Sequence, residues 1–525
     1  MRFYFACLLV IVTLASLCTL LVLGLSTFPI YGCSQEKKPV ASLPSFEVAT
    51  PIFPLKKVFD KAAVNKEMEK TIPLLMDGAH VPGLSIAIIK DSSVLWHRHF
   101  GVKNAEMKAP IKDNTIFEAG SLGKPVFAYA VLKLVEQGKL RLDAPLAQSW
   151  IDDDIKNDAR AKRITARMVL SHTTGLPNWR QDKPLAICFN PGERFSYSGE
   201  GYVYLQRVVE RITGERFEPF MEKNVFKPLA MQSSSYVWKE AFDSLAATGH
   251  DPSGKATPKR KPYAPLSAAT LHTTTLDYAK FLTAIMNGVG LKAETRREMF
   301  RPHIKLDPEC VLCTDRAPAN LSESLAWGLG WGLQHTIEGE AFWHWGDNGN
   351  FQGYAVVFKN EKVGLVYFSN SFNGLSVRDE LIGHAIGGQH PAFAWAKYDQ
   401  FNSPQKQFQK LLEKTFIERG SEAGTALYQS FTDKYPVHYV DEILLSNLGF
   451  SLLDKKRMNE AVAIFELNAK AYPQSWRVFD SLGLAHMVSG NRKLAIENYK
   501  KSLELNPDNA RARQNIQMLE SLPGQ

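Results

Sequence analysis

Hydrophobic and polar positions along the chain fall into four regimes. After Arg2 there is no charged residue until Glu36, and residues 8–25 are almost wholly apolar. A positive residue followed by an apolar core suits an export signal, and a stretch of this length is also enough to span a bilayer. Residues 34–55, which contain Pro and Ser and end near Pro51 and Pro54, read as a spacer. Beyond them, residues 84–89 and 94–100 are two β-prone runs broken by Asp91-Ser92-Ser93, the pattern of a hairpin. Helical periodicity follows over 124–136 and 202–212, and strand character returns at 342–345, 354–358 and 363–369. Strands at both ends with helices between predict one α+β domain over residues 56–390, in which the terminal segments share an antiparallel sheet.

From about residue 400 to 525 the pattern is helical only, and it repeats. Leu448 matches Leu482, Gly449 matches Gly483, Ala461 matches Ala495, Phe465 matches Tyr499 and Pro473 matches Pro507, each pair 34 residues apart. Small residues at these places let two antiparallel helices approach, and the proline stops the second. The segment resembles tetratricopeptide repeats, with Tyr428 and Pro436 hinting at a degenerate unit upstream. Such repeats bind protein or peptide partners, so a protein partner is expected there.

Composition changes this picture little. With 45% hydrophobic and 22% charged residues the chain is ordinary globular material. The net charge of +8 is thinly spread; its densest run, residues 255–261, has no interleaved aromatics and reads as a solvated loop, so no nucleic-acid partner is expected. Cys7, Cys18 and Cys33 fall in the leader of residues 1–33. Ile30-Tyr31-Gly32-Cys33 resembles a bacterial lipoprotein cleavage box, so a retained anchor helix, a lipid anchor and free secretion all stay open. Each implies export to the periplasm or cell envelope, and the first two a membrane tether. Of the remaining cysteines, Cys310 and Cys313 are close enough in sequence for a short-loop disulfide, and the absence of nearby His partners argues against zinc.

The chemistry centres on Phe117-Glu118-Ala119-Gly120-Ser121-Leu122-Gly123-Lys124, which runs into the first helical stretch. One helical turn separates Ser121 from Lys124, so an amine can lie against a hydroxyl. A serine hydroxyl becomes nucleophilic only when a base removes its proton, and a lysine does that only if its own pKa is lowered. Ser-x-x-Lys alone is weak, and Ser121 could equally be a helix cap. Two further elements strengthen it: Phe195-Ser196-Tyr197-Ser198-Gly199-Glu200-Gly201-Tyr202 before a helix, and His344-Trp345-Gly346 on a strand.

In this order the three elements resemble the S-x-x-K, Y-x-N and K-T-G motifs of class C β-lactamases, D-Ala-D-Ala carboxypeptidases and their esterase relatives, over residues 58–385. Ser171-His172-Thr173-Thr174-Gly175-Leu176-Pro177 is similar to a turn of the same family, where His172 is expected to be a structural hydrogen-bonder. The resemblance implies a β-lactamase/transpeptidase-like fold and makes Ser121 the acylated nucleophile, with Lys124 and Tyr197 moving protons and Tyr197 the better terminal base. It places the oxyanion hole at the backbone N–H groups of Ser121 and Asp347, with Gly346 permitting close approach, and requires no metal or organic cofactor.

Two departures matter. Gly199 stands where Y-x-N has its amide, and His344 stands where many members have Lys, which leaves a weaker carboxylate anchor. Trp343 and Trp345 flank His344 and should face away from it by strand alternation. The expected activity is acyl transfer to water through an acyl-serine, on an ester, amide or peptide bond of a small-molecule or peptide substrate. The rival is a non-catalytic penicillin-binding-type sensor that recruits partners through its repeats. The set Ser121, Lys124 and Tyr197 argues against that rival, because ligand binding alone needs no such proton-handling trio.

Overall fold

The computed structural model of the chain describes residues 53–435 and 440–521. The apolar leader, the box at Cys33, most of the expected spacer and Pro436 lie outside the described residues. Nine antiparallel strands form the main sheet: β1 (Gly83–Lys90), β2 (Ser93–Asn104), β3 (Ala109–Pro110), β4 (Ile304–Lys305), β5 (Leu325–Trp327), β6 (Gly332–Thr336), β7 (Gly339–Asp347), β8 (Gln352–Phe358) and β9 (Val363–Ser369). Their order is β3-β2-β1-β9-β8-β7-β6-β5-β4, so the two ends of the domain meet at the β1–β9 pair, with Leu84 opposite Ser369 and Lys90 opposite Val363.

The β1–β2 hairpin forms where polar residues interrupt the apolar run. Asp91 and Ser92 take φ of 47° and 66°, the left-handed backbone of a tight turn whose twist matches the flanking strands. Along β1 the side chains alternate between two cores: Leu84, Ile86 and Ile88 enter one, Ala87 and Ile89 the other. Both faces of the sheet are therefore covered. Helix α1 (Lys61–Ala79), started by Asp60 accepting hydrogen bonds from the Ala62 and Ala63 N–H groups, packs Met68 and Ile72 on the first face. Helices α2 (Gly123–Glu136) and α3 (Gly199–Thr213) lie in the larger core on the other, where their buried apolar residues surround Phe127 and Tyr202.

The C-terminal region is all helical. Two helix pairs, Glu442–Asp454 with Met458–Ala471 and Trp476–Val488 with Arg492–Leu505, pack in the same way. Gly449 sits against the Phe465 ring and Gly483 against Tyr499, so that a Cβ at either glycine would lie under 3 Å from the ring. The polar seam repeats too: Asn468 Nδ2 donates to Glu442 O at 2.9 Å, and 34 residues on Ser502 Oγ donates to Trp476 O at 2.9 Å. Among the described residues no helix is long and apolar enough to cross a membrane.

Two segments fold differently from their sequence reading. The last residues of the expected spacer are part of the domain: Leu55 N–H donates to Glu338 Oε1 at 2.8 Å, and Phe53 O accepts from Gly388 N–H at 2.8 Å. Residues 391–399, between the expected domains, contain the short helix α4 (Pro391–Ala396), whose Trp395 is buried in the same core as Tyr197 and Trp343. The stretch is rich in apolar and aromatic residues but too short to show a helical or strand period.

Candidate active site

Each expected site residue is held by a distinct piece of backbone. Gly120, at φ 55°, turns the chain into a single 3₁₀ turn, Gly120–Leu122, that feeds directly into α2. Ser121 occupies this turn, partly exposed, and caps nothing with its side chain. Lys124, one turn on, is completely buried; its Nζ donates to Ser121 Oγ at 3.0 Å and to the Ala268 carbonyl at 2.9 Å. The ammonium site lies over the Tyr197 ring at 4.7 Å and the Tyr202 ring at 5.7 Å. Burial drives the Lys124 pKa down to about 7.

Tyr197 immediately precedes α3, whose N-cap is Ser198: its Oγ accepts from Gly201 N–H at 2.9 Å and donates to Pro177 O at 2.8 Å. The Tyr197 N–H donates to Val311 O at 3.0 Å, inside the loop closed by the Cys310–Cys313 disulfide. Beneath the phenol, His172 stacks at 4.3 Å between centroids, and its Nδ1 accepts the Ser198 N–H at 3.0 Å. Burial and the nearby Lys124 hold the His172 pKa well below its ordinary value, so it is a neutral hydrogen-bond acceptor at Nδ1. Burial also raises the Tyr197 pKa, with neighbouring Ser121 a smaller opposing influence. Tyr197 Oη has no hydrogen-bond partner among the described residues. Desolvation disfavours a phenolate and favours a neutral amine, which runs against the expectation that Tyr197 is the better base of the two.

His344, on β7 opposite Ala355, is also completely buried, with its ring 6.0 Å from that of Tyr197. Its Nδ1 donates to Trp345 O at 2.7 Å, which leaves Nε2 as the acceptor of a neutral ring; Nε2 is unpaired among the described residues. Burial, then Lys124, lowers its pKa to about 3. The expected weak carboxylate anchor is therefore uncharged at neutral pH. Trp343 and Trp345 enter the core of the opposite face from Phe342, as strand alternation requires, although the Trp345 ring also reaches Tyr197 at 4.9 Å.

At the end of β7 the backbone closes on Ser121. A Cβ at Gly346 would stand 2.1 Å from Ala119 O, and one at Gly120 would stand 3.1 Å from Asp347 N. The close approach that Gly346 permits is thus strand to chain, and it sets the Asp347 N–H beside the turn that carries Ser121. Asn348 Nδ2 ties the same corner to Glu118 Oε2 at 2.9 Å and to Ala269 O at 3.2 Å. Arg260, from the basic run read as a solvated loop, pairs with Glu118, a buried carboxylate, at 2.9 Å and donates to Asn348 O at 2.7 Å.

Gly199 heads α3, and its N–H donates to Asn178 Oδ1 at 3.0 Å and Asn178 O at 3.1 Å. A Cβ here would lie 2.8 Å from Asn178 O and 2.8 Å from two atoms of the Trp179 indole. The space an amide side chain would enter is filled by Asn178 and Trp179, which follow the turn singled out in the sequence but carried no signal of their own. Among the described residues no group of His, Cys, Asp or Glu gathers in a way that could hold a metal ion.

Comparison with known proteins agrees with this geometry. A family model described as Beta-lactamase matches residues 68–386. Penicillin-binding protein 4* of Bacillus subtilis (strain 168) is 22% identical over 392 residues, covering 67% of this chain and 78% of that protein. Protein flp of Staphylococcus aureus (strain N315) is 24% identical over 215 residues, 38% of this chain and 43% of its own length. Among solved structures, an octameric penicillin-binding protein homologue from Pyrococcus abyssi superposes with a TM-score of 0.53 at 25% identity, covering 68% of this chain and 82% of that one. D-alanine carboxypeptidase AmpC from Burkholderia cenocepacia, at 17% identity, shares the fold with a TM-score of 0.51 over 62% of this chain and 99% of that one.

Proposed function

Since the chain belongs to the beta-lactamase family, we propose that it is a serine hydrolase that transfers an acyl group from an ester, amide or peptide to water through an acyl-Ser121 intermediate. The observation that carries this reading is the buried Lys124 amine hydrogen-bonded to Ser121 Oγ at 3.0 Å with its pKa lowered to about 7. Near neutrality a useful fraction of the amine is unprotonated. It takes the Ser121 proton as Oγ bonds to the substrate carbonyl carbon. Negative charge then develops on the carbonyl oxygen, where the N–H groups of Ser121 and Asp347 receive it; removing one such donor typically costs about 3 kcal/mol. The proton passes to the leaving group with Tyr197 Oη as the hydrogen-bonding relay, and the same groups activate water for deacylation. Neutral His344 offers Nε2 as an acceptor in the wall of the site.

The family's substrates include β-lactams and D-alanyl peptides, and the protein superposed at 17% identity is a D-alanine carboxypeptidase by title. Gly199 without an amide, Trp179 in its space and an uncharged His344 favour esters or small amides over these. The C-terminal helix pairs are read as tetratricopeptide repeats that recruit a protein or peptide, and the N-terminal leader as an export signal or anchor that places the enzyme in the cell envelope. Hydrolysis of a short-chain chromogenic ester tests the core of this reading: turnover by the native chain and its loss in Ser121→Ala support it, and retained turnover in that variant refutes it.

A further inference from the structure

The packed fold runs beyond the family match. That match ends at residue 386, yet residues 391–402 are stitched to the hydrolase at several points. Trp395, 1% exposed, donates its indole N–H to Asp307 O at 3.0 Å and packs edge-on to Trp345 at 5.8 Å. Lys397, in the left-handed conformation that ends α4, reaches Glu309 O at 3.0 Å. Phe401 N–H donates to Ser376 O at 3.1 Å, and its ring covers Gly78 of α1. Arg378, itself buried, holds Phe393 O at 3.2 Å and lies against the Phe393 ring at 4.2 Å. With both ends fixed, the segment has one polar side chain aimed at the active-site corner. Tyr398 Oη donates to Asp347 Oδ2 at 2.8 Å.

Asp347 is the residue whose main chain faces the nucleophile turn. Its other carboxylate oxygen accepts from Gly349 N–H at 2.7 Å. The two hydrogen bonds together hold the residue between a turn and a strap anchored in the core. The main chain here is paired to β8, Gly346 opposite Gly353 and Asp347 opposite Gln352, and Asn348 N–H donates to Phe351 O at 3.0 Å; without Tyr398 the Asp347 carboxylate keeps only the contact to its own turn, and the last residue of β7 loses its one side-chain tie to the strap. We propose that Tyr398 is a positioning residue: it fixes Asp347 and thereby aims the Asp347 N–H at the developing oxyanion, which makes residues 391–402 part of the catalytic unit. Burial and the adjacent Asp347 carboxylate raise the Tyr398 pKa, so its hydroxyl keeps its proton and remains the donor. The position lies outside the matched residues 68–386 and outside the three sequence elements.

This inference rests on the acyl-Ser121 reading above, and a double-mutant cycle in the full-length chain separates the two. Oxyanion donors removed outright cost roughly 10²–10³ in kcat, so loosening one should cost about tenfold or more. Tyr398→Phe is expected to lower kcat on a chromogenic ester by about tenfold or more with KM changed less than about threefold, because ground-state contacts are untouched. In an Asp347→Ala background, where the carboxylate is already gone, the same change should alter kcat less than about twofold. The rate of Ser121 phosphonylation by a fluorophosphonate, which also places charge on an oxygen at this position, keeps slow variants measurable. Thermal unfolding of each variant shows whether the fold is intact. Unchanged kcat and phosphonylation in Tyr398→Phe overturns the proposal, as does an equal loss in both backgrounds. If Ser121→Ala keeps its turnover in the same assay, the underlying reading fails and the inference falls with it; loss in Ser121→Ala with no effect of Tyr398→Phe removes the inference alone.

Discussion

Lys124 Nζ lies 3.0 Å from Ser121 Oγ, and the lysine that makes this contact is completely buried. Its other hydrogen bond is to a carbonyl, Ala268 O at 2.9 Å. Among the described residues no carboxylate bonds to the amine, so burial acts unopposed and a group that is ordinarily cationic titrates near neutrality. An amine that titrates near neutrality suits the general-base role proposed for Lys124, because general bases are most effective near the operating pH.

The pH dependence of kcat/KM follows. In the proposed mechanism acylation needs the base form of Lys124, whose pKa is lowered to about 7, so kcat/KM should rise with pH through about 7 and plateau above it. His344, held neutral with a pKa near 3, adds no inflection between pH 5 and 9. A steady-state profile on a neutral ester checks this; a limb that rises only near pH 10 would assign the base to an unperturbed amine or phenol.

The same burial sets a stability cost. The unfolded lysine holds its proton up to about 10.5, whereas the folded one releases it near 7, so between these values the unfolded chain binds more protons and stability rises with pH. Below about 7 the folded protein carries the full penalty of a buried charge. Lys124→Met should therefore abolish turnover yet match or exceed the native melting temperature at pH 6, with the difference shrinking by pH 9. Calorimetry across this range is the check, and a melting temperature that falls most at pH 6 would show that the charged amine stabilises the fold.

Position 199 gives a third expectation. Restoring the amide with Gly199→Asn forces a Cβ to 2.8 Å from Asn178 O and the Trp179 indole, an overpacking that costs about 1–3 kcal/mol. The variant should melt lower and gain no cephalosporin turnover. A stable Gly199→Asn with efficient lactam hydrolysis would mean that the glycine alone decides substrate class.

Where the enzyme ends can be read from two truncations. A chain stopped after residue 402 keeps the strap with Trp395 and Tyr398 and should hydrolyse esters within a few-fold of the full chain, while losing any partner bound by the helix pairs. A chain stopped after residue 390 opens the core around Trp395 and should lose solubility or most of its kcat. Equal activity of the two would place the strap outside the catalytic unit.

Much of the architecture is visible in local patterns. The β1–β2 hairpin is written in two apolar runs and a polar break, and the end strands in their β-branched and aromatic residues. The helix pairs show in matched Gly449 and Gly483. What sequence spacing does not carry is burial. Ser121, Lys124 and Tyr197 can be picked out from motif order, but the choice of Lys124 over Tyr197 as base depends on both being desolvated, which opposes ionisation of each in opposite directions. His344 reads as an anchor until the structure shows its Nδ1 tied to Trp345 O. Tyr398 lies 51 residues from Asp347 in a stretch with no period, and only the path of the chain around Trp395 brings them together.

The central claim is that Ser121 is the residue acylated during turnover. Incubation of the full-length protein with a fluorophosphonate, followed by peptide mapping by mass spectrometry, tests it most directly. The account predicts one stoichiometric adduct on the peptide containing Ser121, absent in Ser121→Ala and slowed by orders of magnitude in Lys124→Met. An adduct on another residue, or active ester turnover with Ser121 unlabelled, would contradict it.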